Sequence, residues 1–209
     1  MSLDAEQLGA VLLRCCSRAK ESAKELNSLD GQLGDGDLGA TLEKCARLTE
    51  AALAATPPDI PAVFQAASMA CVRASGSSFG TLLGVALLTA AKQSAGAKML
   101  ELQAIPPMLE AVLAALMARG GASLGDKTVL DAIDALIRAL KAQPPESWPS
   151  VAPQAVAEAL EIWRQQPNKI GRARMFAERS VGLNDPGMVA FAHLVDAATD
   201  RTTHSREVS

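Results

Sequence analysis

Apolar residues recur at three- and four-residue intervals along nearly the whole chain, and that period confines it to helices. Leu8, Leu12, Cys15, Ala19, Ala23 and Leu26 fall on one helical face, and Leu109, Val112, Leu113 and Leu116 on another. Val129, Ile133, Leu136, Ile137 and Leu140 repeat the pattern, as do Val156, Ala159, Leu160 and Trp163. The alternation of a half-buried strand is nearly absent, and Val, Ile and Thr never cluster in runs of four. The spacing predicts helices near 4–27, 37–56, 60–74, 79–95, 107–119, 126–142, 152–166, 170–180 and 185–200. Asp59 and Asp126 stand where N-caps belong, and Pro107 suits a first helical turn. The Pro-rich joints at 56–61, 104–108 and 143–150 are short, as between antiparallel helices of one bundle. We therefore expect an all-α fold in one domain spanning 1–209, with a polar, frayed tail after Asp200.

Composition excludes several classes of function. With 209 residues, of which 49% are apolar, the chain can bury a sizeable core and is not a disordered one. Aromatics are 3%, Tyr is absent and the net charge is −3, which argues against a nucleic-acid partner. There are two His, His193 and His204, too few for a His-rich metal site or a His relay. Cys15, Cys16, Cys45 and Cys71 form no C-x-x-C pair, and read as small buried hydrophobes in a reducing compartment. The N-terminus has no basic region ahead of an apolar run. The longest apolar stretch, near Leu82 to Ala91, is interrupted by Gly84 and Thr89 and is too short for a bilayer. The expectation is a cytoplasmic protein with no membrane partner.

Four segments interrupt the helical period. The first, Leu29 to Gly39, places Asp30, Asp35 and Asp37 among four glycines. Three carboxylates drawn together repel one another unless a hard cation lies between them, and oxygen donors favour Mg²⁺ or Ca²⁺ over zinc. An EF-hand is excluded, because position twelve from Asp30 or Asp35 is Thr41 or Ala46, not Glu. The same composition also suits a plain Asp/Gly turn. The second segment, Arg73 to Thr81, puts small and hydroxylated residues before an apolar helix: an anion site or an ordinary capped start. The third, Gly120 to Thr128, nearly spells a P-loop, but Asp126 precedes Lys127 and no strand precedes the loop, so that reading is rejected. A nucleotide contact by this glycine-rich loop stays open. The fourth runs from Gly171 to Gly187 and sets Arg172, Arg174 and Arg179 before an Asp-Pro-Gly turn, as a phosphate clamp or as surface Arg.

Together these segments resemble the nucleotide-binding L subunit, or L domain, of the dihydroxyacetone kinase family. The resemblance lies in Leu29-Asp30, Gly34-Asp35-Gly36-Asp37-Leu38-Gly39, Ala74-Ser75-Gly76-Ser77-Ser78-Phe79-Gly80, Gly125-Asp126-Lys127-Thr128, Gly171-Arg172-Ala173, Glu178-Arg179-Ser180-Val181-Gly182 and Asp185-Pro186-Gly187. Order and spacing hold over the whole chain, and its length resembles that of the stand-alone subunit. The resemblance implies a closed barrel of about eight antiparallel amphipathic helices with the site in the loops at one end. It implies Mg²⁺, two ions, held by Asp30, Asp35 and Asp37, with ADP or ATP bound through them. Leu38, Gly39, Ala40 and Thr41 would begin a helix facing phosphate, and Ala74 and Ser75 would contact the phosphates. Gly120 and Val129 would line the pocket, and Arg172 with Asp185, Pro186 and Gly187 would close it.

The resemblance further implies a kinase subunit with no protein nucleophile, acting with a K-type subunit that carries the triose or tetrose substrate. The donor is left open between ATP and a phosphotransferase-system protein acting on tightly held ADP, and a homodimer is left open too. The chain departs from the family pattern at Leu38 (usually His), Thr41 (usually Asn), Val72-Arg73 (usually a Gly pair) and Ser77 (usually Pro). The metal ligands are intact, so the departures bear on acceptor, donor and partner. Two other readings remain: a non-catalytic helical binding or regulatory protein that keeps the nucleotide site, and a lipid-type kinase domain.

Overall fold

The computed structural model describes residues 1–74 and 78–200. Among them are nine α-helices: α1 (Ala5–Glu21), α2 (Ala23–Leu33), α3 (Leu38–Leu53), α4 (Ile60–Ala74), α5 (Ser78–Gln93), α6 (Ile105–Gly120), α7 (Val129–Ala142), α8 (Trp148–Arg164) and α9 (Pro186–Thr199). A two-residue antiparallel pair, β1 (Ser2–Leu3) with β2 (Leu100–Glu101), ties the start of the chain to the α5–α6 connection. Helices α1 and α2 follow one another and both pack on α3 and α9, so nine helices make eight columns. Each column packs on its sequence neighbours and α9 returns to α1, closing the ring. The expected all-α barrel of about eight antiparallel helices is met. Connections this short turn the chain back on itself, so α3, α5, α7 and α9 all begin at the end where α2, α4, α6 and α8 finish. Four positive helix ends are thereby gathered at one end of the barrel.

The helices form where the apolar period put them, and their ends follow local chemistry. Asp4 opens α1 with a reciprocal capping box to Gln7, and Asp59 accepts the Ala62 N–H at the start of α4. Asp126 is not the cap of α7. Thr128 is, with Asp131 answering it three residues later, while Asp126 Oδ2 accepts the Ser123 N–H inside the preceding loop. Helix α8 begins at Trp148 and not near 152 as the Pro-rich joint suggested. Pro149 lies in the first turn, where its missing N–H costs nothing, and Pro153 forgoes only the bond to the Pro149 carbonyl. The Trp148 indole N–H, donating to the Leu140 and Gln143 carbonyls, anchors that start. The stretch expected as a helix at 170–180 is 3₁₀ over Arg172–Ser180.

Leu26, Ile60, Val63, Ala132, Val156 and Met188 are excluded from water. Burying each Leu, Ile, Val or Met side chain contributes about 1.5–3 kcal/mol. The seam that closes the ring adds polar contacts to its apolar core. Arg14 donates to the Ala197 and Ala198 carbonyls at the end of α9. His193 Nδ1 accepts from Arg18 at 3.0 Å, so its proton sits on Nε2, facing Glu25 at 3.1 Å. The ring encloses an apolar cavity of about 780 Å³ lined by residues of α1, α3 to α9. All four cysteines are free, and burial pushes the Cys15 thiol up to about 11 and that of Cys16 to about 12, as befits unreactive core groups. The run Leu102–Gly120 is longer than the Leu82–Ala91 stretch, and by length and composition alone it suffices to cross a membrane. Its helix α6 forms one wall of the barrel between α5 and α7.

Glycine is required where α3 meets the α1–α2 column. A Cβ at Gly39 would lie 1.9 Å from the Ala23 carbonyl oxygen and 2.8 Å from Asn27 Oδ1. Gly39→Ala must push α3 off α2, and we expect a loss of about 1–3 kcal/mol in urea unfolding. An unchanged midpoint would show that the two helices do not approach this closely.

Candidate functional site

Helix α2 runs on through Leu29 to Leu33, so Asp30 stands on a helix and the acidic loop is only the four residues 34–37. That placement fixes Asp30 rigidly while the loop swings the other two carboxylates toward it. Gly36 takes a left-handed φ of 74°, which lets the loop reverse in four residues. A side chain at Gly34 would lie 2.7 Å from Asp30 Oδ1, so the loop passes directly over the carboxylate. Asp30 Oδ2 accepts the N–H groups of Asp37 at 3.0 Å and Leu38 at 3.3 Å, locking the end of α2 to the start of α3. One oxygen from each of Asp30, Asp35 and Asp37 then lies within 4.8 Å of the others. Asp30 is half-buried and the other two are exposed. An all-carboxylate set of this size fits a hard divalent cation and does not fit zinc.

The start of α3 is held from the α2 side. The Ala40 N–H donates to Asn27 Oδ1 at 3.1 Å, and the Thr41 N–H to the Asp37 carbonyl at 2.9 Å. Three of the four N–H groups expected to face phosphate, those of Leu38, Ala40 and Thr41, thus have acceptors within the chain. Leu38, where a His is usual in the family pattern, is buried in the cluster of Leu26, Leu42, Val189 and Ala190, with Phe79 packed against it. Phe79 also packs on the neighbouring cluster that holds Val129 and Leu130. It therefore stands between the α3 and α7 sides of the candidate site. Gly187 packs on it as well: a Cβ there would meet the ring at 3.3 Å. Ala74, the last residue of α4, is buried. Gly120 ends α6 beside Leu82 and Val129 begins α7. Ser75, and the side chain of Arg172, lie outside the described residues.

The closing turn is built on buried polar groups. Asp185 caps α9 by accepting the Met188 N–H at 2.9 Å, and Asn168 Nδ2 donates to its other oxygen at 2.9 Å. Burial pushes the Asp185 carboxyl up to about 6, against the pull of its hydrogen bonds and of Lys127. Lys127 does not reach outward as a P-loop lysine would. It is fully buried, and its ammonium donates to backbone carbonyls. Asp131, also buried, accepts the Gly125 and Thr128 N–H groups and shapes the loop in front of α7. The Oδ1 atoms of Asn168 and Asn184 are buried with no donor partner, which leaves two acceptors beside the Asp185 turn.

Asn27, Asp131 and Asn168 escaped the sequence reading, and Phe79 entered it only as part of the Ala74–Gly80 motif, with no role of its own. The T-x-x-D spacing of Thr128 and Asp131 is a capping-box signal that was available. Asn27 and Asn168 carry no local signal, because each acts on a segment more than a dozen residues away.

Comparison with known proteins agrees with this architecture. The DAK2 domain model matches residues 32–200. The "PEP-dependent dihydroxyacetone kinase 1, ADP-binding subunit DhaL" of Listeria innocua is 29% identical over 86% of this chain and 88% of its own length. The L-erythrulose 1-kinase of Mycolicibacterium smegmatis is 32% identical over 95% of this chain, which spans only 36% of that protein. Human triokinase/FMN cyclase is 33% identical over 92% of the chain and 34% of its own length. In fold, the chain superimposes with a TM-score of 0.74 on the dihydroxyacetone kinase of C. freundii solved with AMP-PNP and Mg²⁺, covering 95% of this chain and 34% of that one at 23% identity. The chain belongs to the DAK2-domain family, that of the dihydroxyacetone kinase L subunits and L domains.

Proposed function

We propose that this chain is the nucleotide-binding, phosphotransfer half of a dihydroxyacetone-type kinase. It would pass a phosphoryl group to a triose or tetrose held on a separate K-type subunit. The observation that carries this reading is the convergence of Asp30, Asp35 and Asp37 within 4.8 Å at the barrel end where four helices begin. Carboxylates that close need a cation, and positive helix ends suit phosphate. The printed names of the relatives support it: an ADP-binding subunit in Listeria, erythrulose kinases in Mycolicibacterium, and AMP-PNP with Mg²⁺ in the C. freundii kinase.

Asp30, Asp35 and Asp37 would hold Mg²⁺, two ions in this reading, and the metal would supply charge neutralisation on the transferring phosphates. Leu38 to Thr41, Ala74 and Ser75 would flank the phosphates. Gly120 and Val129 would line the nucleotide pocket, and Arg172 with the Asp185-Pro186-Gly187 turn would cover it. No side-chain nucleophile is called for, because this chemistry rests on alignment and electrostatics. Either ATP exchanges freely, or ADP stays bound and is rephosphorylated by a phosphotransferase-system protein. A cytoplasmic location belongs to the same proposal. The apolar cavity of about 780 Å³ favours a second reading, a lipid-type kinase domain with an apolar acceptor. Activity on dihydroxyacetone after mixing with a K-type subunit would eliminate both that reading and a silent regulatory role.

The wild-type chain should bind ADP in calorimetry when Mg²⁺ is present, and Asp35→Ala should weaken it by at least the ~10–100-fold that loss of a mere outer-sphere partner costs. Equal binding by both, or by neither, rejects the proposal. Linkage sets a second outcome: Mg²⁺ with ADP at ~100 times the wild-type dissociation constant should stabilise the wild type by about 2.7 kcal/mol in thermal unfolding, and Asp35→Ala by no more than about 1.4 kcal/mol.

A further inference from the structure

Lys127 is among the largest fully buried side chains of the described residues. A buried ammonium costs several kcal/mol unless each of its donors is met. Here all three are met by neutral carbonyls: those of Ser180 at 2.7 Å, Gln166 at 2.8 Å and Arg164 at 3.3 Å. Its backbone is also exceptional. Lys127 has a φ of 60°, the one non-glycine in the left-handed region among the described residues. Such a conformation costs of order 1–3 kcal/mol and persists only where its surroundings dictate it. Both penalties fall on one residue.

The three carbonyls come from the end of α8 and from the end of the 3₁₀ stretch, so the ammonium draws together the two ends of the 164–180 segment. A second path leaves from the Lys127 carbonyl. It accepts Asn168 Nδ2, which also donates to Asp185 Oδ2, while the Asn168 N–H donates to Ser180 Oγ. Asp185 in turn caps α9 and holds the turn whose Gly187 lies on Phe79. The loop before α7 is stitched to the same segment by the Lys169 N–H on the Asp126 carbonyl.

We propose that Lys127 is the positioning residue of this rim: by gathering the carbonyls of Arg164, Gln166 and Ser180 it fixes the 164–187 segment, and through Asn168 the Asp185-Pro186-Gly187 turn, over the pocket assigned to the nucleotide. The link to nucleotide rests on the function proposed above; the pinning of the segment does not. Lys127 acts without touching phosphate, since its three donors are all spent on backbone.

Electrostatics gives the proposal a signature that packing alone lacks. Burial holds the Asp185 carboxyl up at about 6, and among the described residues the charged group pulling it down is Lys127. Arg164, the nearby guanidinium on α8, is committed to the Gly182 carbonyl. Removing the Lys127 cation takes away that opposing pull, so the Asp185 carboxyl must titrate higher and be less ionised near neutrality.

The test uses the full chain, wild type against Lys127→Met. Without nucleotide, amide exchange over 164–187 should rise ~10-fold or more while α3 and α4 keep their protection, and the Asp185 carboxyl carbon should titrate above 6. With Mg²⁺, ADP affinity should fall ~10-fold or more, and its acid limb should climb together with the Asp185 titration. Unchanged exchange over 164–187, an unmoved Asp185 titration, or protection lost evenly across all helices would overturn the proposal. If Lys127→Met does not fold, Asn168→Ala in the intact background decides it: exchange must rise over the residues of the Asp185 turn, and unchanged exchange there refutes the link from Lys127 through Asn168. A wild type that binds no ADP would sink the functional reading while the nucleotide-free measurements still decide the role of Lys127.

Discussion

The start of α3 lies against the α1–α2 column with no room for a side chain at Gly39, and everything at the acidic end of the barrel follows from that contact. The close approach puts Asn27 within reach of the Ala40 N–H and Asp30 within reach of the Asp37 and Leu38 N–H groups. A loop of four residues must then bridge the two helices. It does so only by folding back over Asp30, which brings Asp35 and Asp37 to it. Repulsion among three carboxylates opposes this arrangement, and two donated N–H bonds to Asp30 offset part of it. A divalent cation would remove the rest. The acidic centre is therefore held together from the helix side.

The rim that residues 165–185 build at the same end is organised differently. There the chain is 3₁₀ over Arg172–Ser180 and irregular on either side, and buried polar groups hold it in place. Lys127, Asn168, Ser180 and Asp185 form a connected set, and three of the four are almost wholly excluded from water. Phe79 joins the two rims, since Leu38 and Val129 belong to the clusters on either side of it and Gly187 lies on its ring. The up-and-down topology supplies the remaining ingredient by placing the starts of α3, α5, α7 and α9 together. Sites assembled from loops at one end of a rigid scaffold are common because loops vary while the scaffold stays fixed.

Much of this was legible in the residues, and the exceptions have physical causes. Apolar periodicity located the columns of the barrel, because in an all-α barrel each helix has one buried stripe, but it ran α1 and α2 together as one helix and read the 3₁₀ stretch Arg172–Ser180 as another. Boundaries failed where side chains outside the period decided them. Leu29 to Leu33 remained helical despite Gly31, because Leu33 is buried and extends the stripe. Trp148 started α8 ahead of two prolines because its indole N–H had carbonyl partners waiting. Asp126 looked like a cap, but Thr128 with Asp131 made the better reciprocal pair. The clustering of Asp30, Asp35 and Asp37 was legible as like charges set among glycines. The roles of Lys127, Asn27 and Asn168 were not, since each depends on backbone brought near only by the closed ring. A lysine in a glycine-rich loop reads as a phosphate ligand until its burial is known.

The central claim is that a metal–nucleotide complex sits on Asp30, Asp35 and Asp37 at this one end of the barrel. Paramagnetic relaxation by Mn²⁺ tests it most directly, with the ion titrated into isotope-labelled chain in the presence of ADP. The account predicts that the carboxyl signals of Asp30, Asp35 and Asp37 broaden first, followed by amides of Leu38 to Thr41 and of the Asp185-Pro186-Gly187 turn. Leu100 and Trp148, at the far end, should stay sharp. Broadening centred away from the three aspartates, or broadening confined to them that leaves the Asp185 turn untouched when ADP is added, would contradict it.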